Sequence, residues 1–236
     1  MPIFTTDSKR ILFVHIPKTG GATIEQHLRR FGKIDLFNGR PQGSDLPCSP
    51  QHFHIKQLKS LFNFNKFDYI FTVMRCPFER LKSEFKMRKK SQIKKCRKDN
   101  HKTALPDFNT WVGETLGLYN QNPFIYDNHI RPQTEFINNK VKIFDFELGV
   151  PNILQQVFLD LDINFYYDDD LRRQTGLDID IDMSTDTYNK IELFYKDDVD
   201  FYKTIQKKYE PLKDINQSHN IQFNYQENNQ KQKGSF

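Results

Sequence analysis

The sequence predicts an α/β protein, in which strands end in loops that feed helices. Three stretches carry that expectation. Ile11–Val14 is an apolar run of the buried-strand type; it breaks at Pro17 and at Gly20-Gly21, then resumes at helical spacing with Ile24 and Leu28. Asp68–Met74 is a second strand, running into a helix with Pro77 in its first turn and Phe78, Leu81 and Phe85 on its buried face. Val141–Phe146 alternates as a third strand, and a helix follows from Pro151 with Ile153, Leu154, Val157, Phe158 and Leu161 on its apolar side.

The first of these units has the clearest chemistry. A glycine-rich loop feeding a helix start gathers backbone N–H groups around one point, at the positive end of the helix dipole. Such a nest suits a phosphate or a sulfate. Lys18 and Thr19 add a charge and a hydroxyl, and Thr23 sits in the first turn, expected over about Ala22–Phe31. The loop is not a Walker A sequence, because Lys18 precedes both glycines, so an ATPase or GTPase is not the direct reading. In the second unit Arg75 lies at the carboxyl end of its strand, where open α/β sheets place ligands, and Ser83 lies about two turns into the following helix.

The remaining segments fill in around these units. Asp35–Pro50 holds Gly39, Pro41, Gly43, Pro47 and Pro50 and reads as an irregular loop over the site. Gln51–Ile55 reads as extended, which would point His52 and His54 the same way, and helical spacing starts at Ile55. Asp107 is a fitting N-cap for a helix through Phe108, Trp111 and Val112. Asp127–Ile137 sets polar groups between apolar anchors, as a cleft wall does. Leu159–Asp182 is acidic and irregular, with Arg172-Arg173 as its one basic pair, and Ser184 caps a last helix through Tyr202.

Composition bounds the answer. The 236 residues fit one domain, taken as 1–225, and a polar tail, 226–236, expected to be disordered. Phe accounts for 22 residues, so the core should be Phe-rich. The net charge of +5 is uneven: Arg80–Lys102 carries eleven Lys or Arg against Glu84 and Asp99, which suits either a solvated helix or a landing strip for a polyanion. No nucleic-acid module accompanies it. Cys48, Cys76 and Cys96 form an odd, sparse set without metal spacing, which fits a reducing compartment. No apolar run reaches membrane-spanning length and no apolar signal region opens the chain, so the expected location is the cytoplasm unless a targeting segment has been removed. Oligomeric state is not legible.

Two motifs in order, HIPKTGGAT after one strand and RCPFERLKS after a later one, resemble the co-substrate motifs of sulfotransferases that use 3′-phosphoadenosine 5′-phosphosulfate (PAPS). The resemblance spans about Arg10–Tyr202 and is nearest to the carbohydrate branch that includes the heparan sulfate 2-O-sulfotransferases. It implies a P-loop-like three-layer fold with a mostly parallel central sheet flanked by helices. It also implies that Lys18, Thr19, Gly20, Gly21, Ala22 and Thr23 hold the 5′-phosphosulfate, and that Arg75 and Ser83 hold the 3′-phosphate. Cys76 departs from the Asp common in the family. His52-Phe53-His54 is similar to the His-x-His element of that branch, which makes His54 the general base with His52 in support; Glu79, Glu84, His52 and His129 are the reserves. NHIRPQTEF looks like the acceptor side and points to His129, Arg131 and Gln133. The expected reaction is in-line sulfuryl transfer to a hydroxyl, with Lys18 on the leaving oxygen and no metal. An imidazole titrating near pH 6.5 suits a base at neutral pH. Two other readings remain from the residues: a P-loop-like small-molecule kinase, which lacks its Walker A lysine, and a non-catalytic module that binds anionic glycan through the basic stretch.

Overall fold

The structure is a computed structural model that describes residues 3–35, 44–99, 105–173 and 177–218, with the side chains of 95–99 and 210–218 outside that description. The polar tail, residues 36–43 of the 35–50 loop and the Cys96 side chain therefore lie outside the described residues.

The elements run β1 (Ile3–Thr5), β2 (Arg10–Phe13), α1 (Gly21–Leu28), β3 (Lys33–Asp35), α2 (Ile55–Leu61), β4 (Tyr69–Met74), α3 (Pro77–Asp99), α4 (Phe108–Gln121), a one-turn α5 (Ile125–Asn128), β5 (Lys142–Asp145), α6 (Val150–Asp160), α7 (Thr185–Phe194) and α8 (Lys196–Ser218), with short 3₁₀ turns between. They form a mixed five-stranded sheet of order β3-β1-β2-β4-β5. β2, β4 and β5 are parallel, with Leu12 opposite Ile70 and Thr72 opposite Ile143. β1 is antiparallel to both β2 and β3, so the expected mostly parallel sheet is corrected at one edge. The cause is connection length. Thr6 and Lys9 close a tight turn between β1 and β2, with Thr6 N–H on the Lys9 carbonyl at 2.9 Å, and a link that short permits only a hairpin.

Strand alternation sends two sets of side chains to two faces. Phe4, Ile11, Phe13, Phe71, Val73 and Phe144 pack under α1, α6 and α8, together with Ile24, Leu154 and Phe158. Ile3, Leu12, Val14 and Ile70 face α2 and the rings of Phe53, Phe64, Phe67 and Phe136. The sheet is thus covered on both faces, and the core is Phe-rich as its composition predicts. A third apolar cluster joins α3, α4 and α7 through Leu81, Phe85, Phe108, Trp111 and Ile191.

The single last helix expected from Ser184 is instead two. The break is at Tyr195, whose φ and ψ of −101° and 28° leave the helical region and whose buried hydroxyl donates to the Ile130 carbonyl at 2.6 Å. α8 then brings Asp198, fully buried, against the turn at 133–134. Its carboxylate accepts from the N–H of Gln133 (2.7 Å), the N–H of Thr134 (2.9 Å) and the Thr134 hydroxyl (2.9 Å). Asp198→Ala removes three hydrogen bonds at a buried site and leaves two backbone donors unpaired. We expect a loss of about 3–5 kcal/mol, read as a Tm lower by roughly 10 °C in calorimetry. A shift under about 2 °C would show that the turn is held by other contacts.

Candidate active site

A cavity of about 810 Å³ opens at the carboxyl ends of β2 and β4. Lys18, Gly20 and Thr23 line it from the first loop, Arg75 and Ser83 from the second strand and its helix. The opposite wall is Phe146, Val150, Pro151, Tyr167, Arg172 and Arg173.

The loop after β2 takes its shape from two left-handed residues, Lys18 (φ 71°) and Gly20 (φ 83°). Glycine reaches that region freely; lysine does so at a cost of about 1–2 kcal/mol, of the kind found where a side chain must be aimed. Thr19 is buried and its hydroxyl donates to the Ile16 carbonyl at 2.8 Å, so it ties the loop to itself. Gly21 starts α1 directly against His15: a Cβ there would lie 2.2 Å from the His15 Nε2 atom. The helix start has no side-chain cap, which leaves its first N–H groups for other acceptors. Of the expected donor-binding residues, Thr19 thus spends its hydroxyl within the loop, Gly21 offers backbone alone, and Ala22 is an exposed residue of the first turn.

Arg75 is held from both sides. The Gln133 amide is fully buried; its oxygen accepts the Arg75 N–H at 3.1 Å and its nitrogen donates to the Arg75 carbonyl at 2.8 Å. The guanidinium lies 4.5 Å from the Phe146 ring and donates to the Lys18 carbonyl at 3.3 Å, linking the two loops. Its Nε is buried with no partner among the described residues, a donor suited to an anion. Burial lowers the Lys18 pKa; the neighbouring Glu84 opposes that shift, while Arg75 and Arg88 add to it.

Beside this cavity the fold assembles a row of three imidazoles, each on its own carboxylate. His15 Nδ1 lies 2.6 Å from Glu25, His52 Nδ1 2.8 Å from Asp127, and His129 Nδ1 2.7 Å from Glu84. The rings stand edge to face, His15 to His52 at 5.2 Å and His52 to His129 at 4.7 Å. The row begins at the glycine loop and ends at Glu84, the carboxylate facing Lys18. Burial opposes ionisation of Glu84, but His129, then Arg88 and Lys18, outweigh it and hold the carboxyl at about 2. His52, Asp127 and His129 offer ligand-type atoms within 4.8 Å of one another. Within this set the Asp127 carboxylate accepts from His52 Nδ1 and from Ser49, and His129 Nδ1 pairs with Glu84, so the three groups form part of a hydrogen-bonded acid–base network.

This arrangement corrects the extended reading of 51–55. Pro50–His52 is a 3₁₀ turn and His54 is the N-cap of α2, so the two histidines part. His54 takes part in a capping box with Gln57, its Nδ1 2.7 Å from the Gln57 oxygen, and its ring packs near Phe124 and Phe136. His52 alone joins the imidazole row. Two of the expected acceptor-side residues are buried in contacts within the fold. Gln133 braces Arg75, as described. Arg131 is buried, with Nε on the Asn128 side-chain oxygen at 2.6 Å, an ion pair to Glu135, and its guanidinium 4.8 Å from the Phe124 ring. Both side chains are thus engaged in contacts within the fold.

A family model described as the sulfotransferase family matches residues 1–204. The chain belongs to the sulfotransferase family. No curated protein and no solved structure matches it. Sulfotransferases move a sulfuryl group to a hydroxyl-bearing acceptor and generally take it from PAPS. Among the described residues no helix is long and apolar enough to cross a membrane.

Several residues of this sulfotransferase's site escape the sequence. His15 and Glu25 look like core and helix residues until folding sets them side by side, with Gln51 donating to Glu25 at 2.9 Å. Tyr167, Arg172 and Arg173 reach the cavity because the Arg173 N–H donates to the Thr23 hydroxyl at 3.1 Å; the lone basic pair in an acidic stretch was the available signal. The tight Gly21–His15 approach gives a test. Gly21→Ala should lower stability by about 1–3 kcal/mol through overpacking, and combining it with His15→Ala should recover at least half of that loss. Additive losses in a double-mutant cycle would show that the ring is not what excludes a side chain there.

Proposed function

We propose that this sulfotransferase transfers the sulfuryl group of PAPS to a hydroxyl of an acidic carbohydrate, with His52 as the proton acceptor. The observation that carries the reading is the convergence of the glycine loop after β2 and the Arg75–Ser83 segment after β4 on one cavity. The residues fit the donor. The uncapped start of α1 and Lys18 suit the phosphosulfate, Arg75 with its unpartnered Nε and Ser83 suit the 3′-phosphate, and the rings of Phe146 and Tyr167 suit a base between them. The P-loop-like character of the fold rests on this same wrapped loop. The heparan sulfate 2-O-sulfotransferase likeness rests on the motifs quoted above.

In the reaction, the acceptor oxygen bonds to sulfur as the bond from sulfur to the bridging phosphate oxygen breaks. The leaving 3′-phosphoadenosine 5′-phosphate (PAP) keeps that electron pair, and the hydroxyl proton passes to His52 Nε2. Lys18 stabilises the charge growing on the leaving oxygen, a preoriented role of the kind that dominates many rate enhancements. His52 is favoured over His54 because it stands in the imidazole row, whereas His54 caps a helix. An acidic acceptor is supported by α3, which carries Lys86, Lys89, Lys90 and Lys94 beyond the cavity.

The donor assignment is tested by calorimetry with PAP against ADP. Wild type should prefer PAP, and Arg75→Ala should lose most of that preference; equal binding or a preference for ADP would sink the assignment and favour a kinase. Transfer from labelled PAPS should favour 2-O-desulfated heparin over dextran, with an acceptor KM that rises with salt. The opposite order would overturn the acidic acceptor. His52→Ala should cut turnover about 10²–10⁴-fold and change PAP affinity less than about twofold, while His54→Ala should cost under tenfold. Burial lowers the His52 pKa, with Asp127 opposing. The base is therefore neutral at pH 7, and the rate should fall only on acidification below the ordinary imidazole range.

A further inference from the structure

Three consecutive residues with side chains, Tyr126, Asp127 and Asn128, have left-handed backbone, with φ of 54°, 60° and 69°. None is glycine, and each occupies a region that L-residues avoid. Such a run persists only where the surroundings over-determine it, and the contacts show what does. The Tyr126 ring lies 3.4 Å below the Arg88 guanidinium and stacks on Trp111 at 5°. The Asp127 carboxylate accepts from the Ser49 N–H and hydroxyl, both at 2.6 Å, and from His52 Nδ1 at 2.8 Å. The Asn128 side-chain amide donates to the His52 carbonyl at 2.7 Å and its oxygen accepts from Arg131. His52 is thus fixed at its ring by one residue of the turn and at its carbonyl by the next.

We propose that Asp127, presented by this left-handed turn, is a positioning residue for the proton acceptor: it holds the proton of neutral His52 on Nδ1 and leaves Nε2 to take the acceptor's proton. The inference rests on the reading of His52 as the base. A carboxylate accepts only, so the nitrogen facing it must donate, and the lone pair is left on the other nitrogen. Asp127 is half-exposed, but it is held well below the usual carboxylate range: burial opposes ionisation, and the bonds from His52 and Ser49 outweigh it. The groups facing His52 are Asp127 from α5, His15 from the segment after β2, and His129 from the end of α5. Glu25 and Glu84 stand behind the two histidines. Among the described residues, only Asp127 hydrogen-bonds the His52 ring.

The first measurement is ¹⁵N NMR of the wild-type imidazoles at neutral pH, with His52 assigned by its loss in His52→Gln. A proton on Nδ1 is expected; a proton on Nε2 overturns the proposal, and no mutant needs to fold into an active enzyme for that result. The second is Asp127→Asn, whose amide can donate to Nδ1 and so favour the wrong tautomer. Its kcat, for transfer to 2-O-desulfated heparin or for hydrolysis of PAPS by water, should fall at least 100-fold. KM for PAPS should stay within about twofold. The acid limb of the rate should move to lower pH, because the carboxylate that favours imidazolium is gone. Activity above one third of wild type in Asp127→Asn, with His52→Ala down 100-fold, leaves His52 as base and removes Asp127 from any positioning role. If His52→Ala itself stays within threefold of wild type, the base is elsewhere and both readings fall together.

Discussion

The guanidinium of Arg80 is the constraint from which the imidazole row follows. Arg80 is 2 % exposed, in the first turn of α3 that also carries Glu84 and Ser83. A buried cation must be solvated by the protein itself. Here the His129 carbonyl accepts at 2.8 Å and the Arg131 carbonyl at 3.0 Å, while the Tyr195 ring lies 5.2 Å away. Turning those two carbonyls inward fixes the chain at 129–131. That places the His129 ring on Glu84, one turn along α3 from Arg80, and beside His52. It also delivers Gln133 to the peptide of Arg75. One buried charge therefore registers the carboxyl end of β4 against the imidazole row; burial raises the pKa of Asp198 on α8, and Arg80 opposes that shift.

The two halves of the site are held by different physics. The donor side is backbone geometry: a left-handed lysine, a left-handed glycine, and a second glycine in contact with an imidazole. Its precision comes from the sheet, since His15 and Arg75 both follow directly from paired parallel strands. The acceptor side is built from side chains on irregular segments, where geometry would be loose without paired charges. The three imidazoles of the row are each matched to a carboxylate; Glu25 also accepts from Gln51 and Asp127 from Ser49, and Glu84 is ion-paired with Arg88. Networks of this kind are rigid only when every member is satisfied.

How far the sequence revealed this follows the same division. The parallel strands, the glycine loop, Arg75 and Ser83 were legible because local pattern dictates them: an apolar run, a turn, a helical period. β1 and β3 were not, being three residues each, with Ile3–Thr5 too short to show a period. The pairing of His52 with His54 failed for a local reason. Alternation applies to extended backbone, and Pro50 favours a turn there, which with the Gln57 cap sends the two rings apart. Asp127, Glu25 and Arg131 were illegible in their roles because their partners lie distant in sequence or behind a backbone conformation that sequence does not announce.

The left-handed backbone at 126–128 and at Lys18 bears on how the site handles charge. Lys18 is desolvated before any ligand arrives, and Arg75 and Arg88 add to the lowering of its pKa, with Glu84 as the nearby anion that opposes it. Bringing a polyanionic donor to such a lysine reverses that balance: the bound phosphates favour the ammonium form, so the cation is strongest when the donor is in place. Glu84 is then doubly paired, to Arg88 at 2.6 Å and to His129, and stays ionised throughout. On the proposed reading, a proton taken up by His52 faces the ionised Asp127 at its Nδ1. In the proposed reaction, the carboxylate that fixes the His52 ring would also offset the charge created there, with no large reorganisation at the moment the proton moves.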